Sequence, residues 1–189
     1  MRIVSGILRG RIIQPPKNLR ARPTTDFAKE NLFNVIESHR DVEGADVLDL
    51  FAGTGSHRHG VCPPGGSRLY EFASRGAASV VSVEINAVHY DFIRRTARNF
   101  GLDRIHPVKA NAFLYLKSCP KQFDLIFADP PYDIVGSDTI PETVFGRRLL
   151  KPGGWLILEH PKSLDVSGFE HFVERRSYGS VQFSIFVQP

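Results

Sequence analysis

The stretch Val47-Leu-Asp-Leu-Phe-Ala-Gly-Thr-Gly55 decides the fold. Residues 47–51 are a short apolar run, which predicts a buried strand, and the glycines that follow let the backbone turn tightly and approach a ligand closely. In open α/β sheets, ligands bind in the crevice at the carboxyl ends of the strands. The third glycine of the dinucleotide fingerprint is absent, because His57 and Arg58 follow Ser56. The motif therefore argues against NAD and for a nucleoside ligand without a pyrophosphate.

Short β-rich runs alternate with helical stretches on both sides of this motif. The predicted strands are residues 47–51, 79–83, 104–108, 123–128 and 155–158. The predicted helices are residues 27–39, 69–75, 86–100, 111–118 and 138–149. Two further runs, 172–176 and 181–187, flank a turn and predict a hairpin. The order predicts an α/β protein whose Rossmann-like parallel sheet ends in an antiparallel β-hairpin, the layout of class I methyltransferases.

The N-terminal 26 residues are predicted to be a basic extension with a short strand pair, followed by a main domain over 27–189. Three prolines between residues 15 and 23 exclude a helix there. Residues 1–40 carry a net charge of +5 and the other 149 residues carry −1. A basic arm on a nearly neutral body is typical of a protein that binds nucleic acid, although a solvated basic edge would have the same composition. The candidate nucleic-acid contacts are Arg9, Arg11, Arg22 and Thr24.

The most specific motif is Asp129-Pro-Pro-Tyr132, which directly follows a predicted strand. It looks like the Asn/Asp-Pro-Pro-Tyr/Phe motif of amino methyltransferases, whose target, an exocyclic amine conjugated to a ring, is a poor nucleophile. The Asp129 carboxylate and the Pro130 carbonyl could both accept its hydrogens, orient its lone pair and stabilise the charge that develops. Pro130 and Pro131 fix the backbone so that the acceptors converge, and Tyr132 offers a ring face for an extruded base. We therefore predict that Asp129, Pro130, Pro131 and Tyr132 are the catalytic residues.

Composition excludes several other classes of protein. The 42% hydrophobic content and 14 Phe are too high for a disordered chain, and no apolar run reaches the ~20 residues that a membrane helix needs. No signal peptide is seen, and two cysteines make no disulfide framework, so we expect a cytoplasmic protein. His57, His59 and Cys62 lack zinc-site spacing, so no metal is expected. We also expect a monomer that does not bind membranes.

Taken together, the motifs resemble the RsmD family, bacterial methyltransferases that modify a guanine exocyclic amine in small-subunit ribosomal RNA. The resemblance covers nearly the whole chain. Besides the two motifs above, it rests on Met1-Arg-Ile-Val-Ser-Gly6, Arg9-Gly-Arg11, Arg22-Pro-Thr-Thr25, Glu30-Asn-Leu-Phe-Asn34 and Ala73-Ser-Arg-Gly-Ala77. It implies S-adenosylmethionine as methyl donor and 16S ribosomal RNA, or the assembling small subunit, as partner. It also implies the target base at Asp129–Tyr132, in a reaction of the guanine-966 N2 type.

The candidate residues for binding this cofactor line the same crevice. Glu84, at the end of the second predicted strand, could accept both ribose hydroxyls. Asn111 and Ala112 follow the third predicted strand, where this fold contacts adenine, although Asn111 could equally be an ordinary helix cap. The full set of cofactor candidates is Asp49, Phe51, Gly53, Gly55, Glu84, Asn111, Ala112 and Asp129.

One segment departs from the family pattern. Residues 57–68 separate the glycine loop from the helix predicted to begin at Leu69, and they contain three glycines and two prolines. We predict that they form no helix and are a dispensable loop insertion. Glu84 lies 29 residues after Gly55, and without these 12 residues the spacing returns to near the usual ~20.

Other functions share some of these features. Asp-Pro-Pro-Tyr also serves adenine amino methyltransferases that act on DNA or RNA. A protein-glutamine methyltransferase fits less well, because the basic arm suggests nucleic acid. From a different class, the chain could be an RNA-binding protein whose active site is disabled by the insertion.

Overall fold

The computed structural model describes residues 2–14, 26–53, 67–179 and 181–189. The five helices are α1 (Asp26–His39), α2 (Ser67–Ser74), α3 (Ala87–Asn99), α4 (Ala112–Ser118) and α5 (Ile140–Gly146), the last preceded by a 3-10 turn, Ser137–Thr139. The seven strands are β1 (Asp46–Leu50), β2 (Ser79–Glu84), β3 (Ile105–Lys109), β4 (Phe123–Ala128), β5 (Leu150–His160), β6 (Phe172–Tyr178) and β7 (Val181–Val187). These counts apply to the ranges just given.

The strands form one sheet in the order β3-β2-β1-β4-β5-β7-β6. The pairs among β1 to β5 are parallel, and β7 is antiparallel to both β5 and β6. The chain first builds outward from β1 to β3 and then returns to add β4 on the other side of β1. The topological switch point, where open α/β sheets bind ligands, therefore lies between the carboxyl ends of β1 and β4.

Each face of the sheet is covered by its own hydrophobic core, because successive side chains along a strand point to opposite faces. In β1, Val47 belongs to the core under α1, α2 and α3, whereas Leu48 belongs to the core under α4 and α5. Along β4, Phe127 belongs to the core under α1, α2 and α3, and Ile126 belongs to the core under α4 and α5. This pattern is the one expected for parallel strands buried on both faces, and it confirms the predicted fold.

Some boundaries differ from the sequence prediction. The fifth strand begins at Leu150 instead of 155, because Leu150 already pairs with Phe123 of β4, ahead of a register shift that leads to Trp155. The helix expected over 138–149 is split into the 3-10 turn and the shorter α5, which has a proline in its first turn. The N-terminal strand pair is reduced to a single antiparallel bridge between Arg2 and Ile12. No helix in the described ranges has the length and apolarity needed to cross a bilayer.

Candidate active site

The glycine motif turns sharply at the end of β1. Phe51 has a φ of +62°, a left-handed conformation that bulky residues rarely adopt, and this directs the chain from the strand into the loop. Its ring packs edge-on against Phe113 with the ring centroids 5.6 Å apart. The Ala52 amide donates to the Val83 carbonyl at 3.0 Å, which ties the loop to β2. The start of the predicted cofactor loop is thus fixed by β2 and α4, and Gly55 lies outside the described residues.

Glu84 is the last residue of β2, and its side chain is hydrogen-bonded to the start of this loop. Its carboxylate accepts the Gly53 amide at 2.9 Å and the Asn86 amide at 2.5 Å, and the residue is 1% exposed. The carboxylate lies 4.0 Å from Nδ1 of His89, and burial holds the pKa of that imidazole below its ordinary value. Glu84 therefore positions the start of the glycine loop at Gly53, and its contact with a ribose stays a prediction.

Asn111 caps α4, since its side-chain oxygen accepts the Leu114 amide at 3.1 Å. The adjacent Ala112 is buried against the core under α4 and α5. Both residues lie after the carboxyl end of β3, as predicted. The capping bond explains why an asparagine occurs here, and a role in adenine binding is an additional hypothesis.

Asp129-Pro-Pro-Tyr132 extends from the carboxyl end of β4. Asp129, Pro130 and Pro131 are buried, whereas Tyr132 is 41% exposed. The Pro131 carbonyl accepts the Ile134 amide at 3.0 Å, which closes a turn immediately after the motif. The motif thus joins a buried carboxylate to an accessible aromatic ring, as its predicted role requires.

Two residues that the sequence analysis did not select complete this site. Glu159, near the end of β5, is 4% exposed, and its Oε2 accepts a hydrogen bond from Nη1 of Arg68 at 2.9 Å. Nη2 of Arg68 forms an ion pair with Asp129. The guanidinium carbon lies 4.4 Å from the ring centroid of Phe127. Arg68 thus bridges the two acids with a different nitrogen on each.

Arg68 corrects the prediction for residues 57–68. Helix α2 begins at Ser67 instead of Leu69, so the segment cannot be entirely non-helical. Arg68 is 2% exposed and bonds to the predicted catalytic acid, so this end of the segment contacts the candidate site. The ion pairs of Arg68 with Asp129 and Glu159 explain why an arginine occurs in the first turn of α2. Residues 57–66 lie outside the described residues.

The buried charges in this cleft do not balance. Asp49, Glu84, Asp129 and Glu159 are all buried, and Arg68 is the one basic side chain that the structure shows buried among them. Oδ2 of Asp49 is buried and has no hydrogen-bond partner in the described part of the chain. Such a cleft favours a ligand that brings positive charge, because buried carboxylates are costly without a partner.

The pKa values of these groups reflect that imbalance. Burial raises the pKa of Asp49 to about 7; Arg68 opposes this rise, and the charges of Asp129 and Glu84 add to it. Burial likewise raises the pKa of Glu159 to about 8, with Asp129 adding to the rise and Arg68 opposing it. Burial alone would lower the pKa of Arg68, but the surrounding carboxylates raise it, so its positive charge is secure.

The N-terminal arm is fixed to α2, the helix that carries Arg68. The Glu71 carboxylate accepts the Val4 and Ser5 amides, both at 2.9 Å. At the end of α2, the Ser74 carbonyl accepts the Ile7 amide at 2.8 Å. Arg9 and Arg11 are exposed on this arm, as an RNA contact would require. Arg22 and Thr24 lie outside the described residues.

A signal for Glu159 was present in the sequence. It ends the apolar run Trp155-Leu-Ile-Leu158, just as Glu84 and Asp129 end or follow their strands. The rule that selected those two acids, that strand carboxyl ends line the crevice, selects Glu159 as well. Arg68 had no comparable signal, because only the folded chain brings it to β4 and β5.

Comparison with known proteins agrees with this geometry. The family model described as conserved hypothetical protein 95 matches residues 1–187. Ribosomal RNA small subunit methyltransferase D of Escherichia coli is 32% identical over 158 residues, which cover 82% of this chain and 69% of that protein. The enzyme of the same name from Buchnera aphidicola is 30% identical over 132 residues, covering 70% of this chain and 61% of its relative.

Solved structures show the same architecture. A putative methyltransferase from Escherichia coli superposes with a TM-score of 0.82 at 22% identity, covering 100% of this chain and 97% of the other. The 16S rRNA N2 G1207 methyltransferase of Thermus thermophilus, in complex with AdoMet and guanosine, gives a TM-score of 0.64 at 20% identity and covers 88% of this chain and 44% of the other. The family match over the whole length, with a sheet of this order and Asp-Pro-Pro-Tyr at its switch point, means that the chain belongs to the family of ribosomal RNA small subunit methyltransferase D.

Proposed function

We propose that this protein transfers a methyl group from S-adenosylmethionine to the exocyclic N2 amine of a guanine in 16S ribosomal RNA. The observation that carries the proposal is the buried Asp129 carboxylate at the end of β4, beside the switch point and next to the exposed ring of Tyr132. The relatives named above support ribosomal RNA of the small subunit as the substrate.

The cleft also fits the proposed methyl donor. S-adenosylmethionine supplies an electrophilic methyl group on a positively charged sulfur, together with an adenosine and an amino acid group. The unpartnered Oδ2 of Asp49 and the excess of buried carboxylates match its positive charges. Asp49, Phe51, Gly53 and Gly55 would hold it along the loop, and Glu84, Asn111 and Ala112 would border its adenosine.

In the proposed reaction the chain acts by orienting the amine. Asp129 and the Pro130 carbonyl accept the two N2 hydrogens, which directs the nitrogen lone pair at the methyl carbon. The N–C bond forms as the S–C bond breaks, the electron pair of the broken bond stays on sulfur, and one N2 proton is then lost to solvent. Tyr132 holds the extruded base by stacking. No covalent enzyme intermediate is needed, and Cys119 is buried in the core under α4 and α5.

The decisive experiment uses labelled cofactor and ribosomal RNA. The protein is incubated with small subunits, and separately with free 16S RNA, from a strain that lacks the endogenous enzyme, and the labelled nucleotide is mapped. Label on N2 of a single guanine supports the proposal. Label on N6 of adenine would instead support an adenine methyltransferase, and the comparison of subunits with free RNA identifies the natural substrate.

One observation favours a second candidate function, an RNA-binding protein without catalysis. In this structure Arg68 forms an ion pair with Asp129, the acid that would have to accept the target amine. The labelled-cofactor assay separates the two functions: an enzyme transfers the methyl group to RNA, whereas a homologue disabled at Asp129 binds RNA without transferring it.

A further inference from the structure

The pair formed by Asp129 and Glu159 is built to hold a planar guanidine group. The β4–β5 register places Phe127 beside Ile157, and Asp129 and Glu159 each lie two residues further along on the same face. Arg68 shows what fits between them: one nitrogen of its guanidinium bonds to each acid, over the ring of Phe127.

Guanine carries the same group on its Watson–Crick edge. Its N1–H and its 2-amino group are joined through C2, which makes an N–C–N unit with donors on both nitrogens. Adenine presents its amino group beside N1, and this N1 is an acceptor without a hydrogen. A carboxylate placed opposite N1 would therefore attract guanine and repel adenine.

On this basis, and resting on the proposed function, we propose that Glu159 is the residue that selects guanine. Asp129 accepts from the 2-amino group that is methylated, Glu159 accepts from N1–H, and the base takes the place that Arg68 holds in this structure. Arg68 must withdraw as the base enters. Glu159 does not take part in bond making; it fixes which base can present an amine to Asp129.

A base analogue in the substrate tests this role. An RNA with 2-aminopurine at the target position keeps the 2-amino group but lacks the 6-oxo group and the hydrogen on N1, and the Glu159 variant separates the effect of N1 from that of the oxygen. Above about pH 8, where Glu159 is mostly ionised, the wild-type protein should methylate guanine about 10- to 100-fold faster than 2-aminopurine, because the buried carboxylate would then face a second acceptor in place of a donor. Glu159→Gln should bring the two rates within about threefold, because its amide can donate to an unprotonated N1.

Glu170→Gln is the matched control, since it makes the same chemical change at a side chain that is 88% exposed. It should keep the wild-type preference for guanine. A Glu159→Gln protein that loses the same factor on both substrates would overturn the proposal, because Glu159 would then act only through structure. If the wild-type protein methylates neither RNA, the proposed function fails and the next measurement tests the pocket alone.

That measurement removes the Arg68 side chain by mutation to alanine and supplies free guanidinium in its place. Arg68→Ala should gain about 2–4 °C in melting temperature from about 20 mM guanidinium chloride relative to the same concentration of sodium chloride, a concentration too low to denature appreciably. The wild-type protein and the double variant Arg68→Ala/Glu159→Gln should show no such gain. A variant that folds only with guanidinium also supports the pocket. No selective effect of guanidinium on Arg68→Ala would overturn the proposal.

Discussion

Asp129 is the single residue on which turnover should depend most. Asp129→Ala removes one preorganised acceptor for the target amine and should lower the rate about 10²–10³-fold. Cofactor affinity, measured by calorimetry, should change little. Asp138→Ala, which removes an exposed carboxylate from the turn before α5, is the control and should behave as wild type. A mutant that retains more than half of the wild-type rate would exclude Asp129 from catalysis.

Asp49 makes stability depend on pH. Its pKa is raised by burial to about 7 from 3.8, so between these values the folded protein binds more protons than the unfolded chain. The free energy of unfolding should therefore fall as pH rises from about 4 to about 7, by up to a few kcal/mol at about 1.4 kcal/mol per pKa unit. Glu159, with a pKa of about 8, extends the same trend to higher pH.

The test compares melting curves of the wild-type protein and Asp49→Asn from pH 4.5 to 8. Burial lowers the pKa of His89 and of His160, so these groups change stability in the opposite direction below about pH 6.5. The difference in stability between the two proteins isolates the contribution of Asp49. The stability of Asp49→Asn relative to wild type should increase as pH rises. A difference that does not vary with pH would show that Asp49 titrates normally.

At the scale of elements, the arm and α2 form one unit, and Gly6 is the point of closest approach. A Cβ added at Gly6 would lie 1.9 Å from the Ser74 carbonyl oxygen, whereas a Cβ at Gly10 would meet nothing within 4 Å. Both glycines have a positive φ, +78° and +82°, so an alanine brings similar backbone strain at either position.

Gly6→Ala should therefore destabilise the arm more than Gly10→Ala does. We expect the extra loss as faster hydrogen exchange of the Val4 and Ser5 amides, which bond to Glu71, and as weaker RNA binding. Cofactor affinity should be the same in both variants. Equal exchange rates in the two variants would show that the arm does not depend on its contact with Ser74.

The structure changes what we predict for deletion of residues 57–68, because Arg68 lies at the end of that segment. Deleting residues 57–66 keeps Arg68, so the protein should fold and bind cofactor as well as the parent or better, because a polar segment rich in Gly and Pro is expected to add little to a core. Deleting 57–68 also removes Arg68 and leaves two buried acids without their cation, a loss of about 3–5 kcal/mol. Thermal melts and calorimetry of both deletions check this; equal stability would mean that the ion pairs contribute nothing.

The elements themselves were largely predictable from sequence, and the site only in part. Apolar runs bounded by glycine and proline placed most strands and helices of the sheet domain within a few residues, because both faces of a parallel sheet are buried. Asp129 and Glu84 followed from their positions at strand ends. The role of Arg68 could not be predicted in this way, because it arises from contacts with Asp129 and Glu159, which lie 61 and 91 positions further along the chain. Local pattern contains no information about such pairs.

At the scale of the whole molecule, one exposed pair of arginines lies on the side of the sheet that carries the arm. This pair is Arg9 and Arg11, and the arm packs on the core under α1, α2 and α3 through Ile3 and Ile13. Arg147 and Arg148, exposed just after α5, lie toward the opposite face of the sheet. The two pairs carry equal charge. Removing one pair or the other therefore changes the net charge equally, and a difference in RNA binding between the two variants would identify a specific RNA surface.

Changing Arg9 and Arg11 to Gln should weaken RNA binding and flatten its dependence on salt. Each phosphate contact contributes about 0.7–0.9 to the slope of log affinity against log salt, so the slope should fall by about 1.4–1.8. The change Arg147→Gln/Arg148→Gln should leave the slope within about 0.5 of wild type, the smaller effect expected of charges that contact no phosphate. Adding Arg22→Gln to the first pair extends the test to the part of the arm predicted from sequence alone. Equal slopes for the two double variants would mean that RNA responds only to the overall field of the protein and that the arm does not contact phosphate.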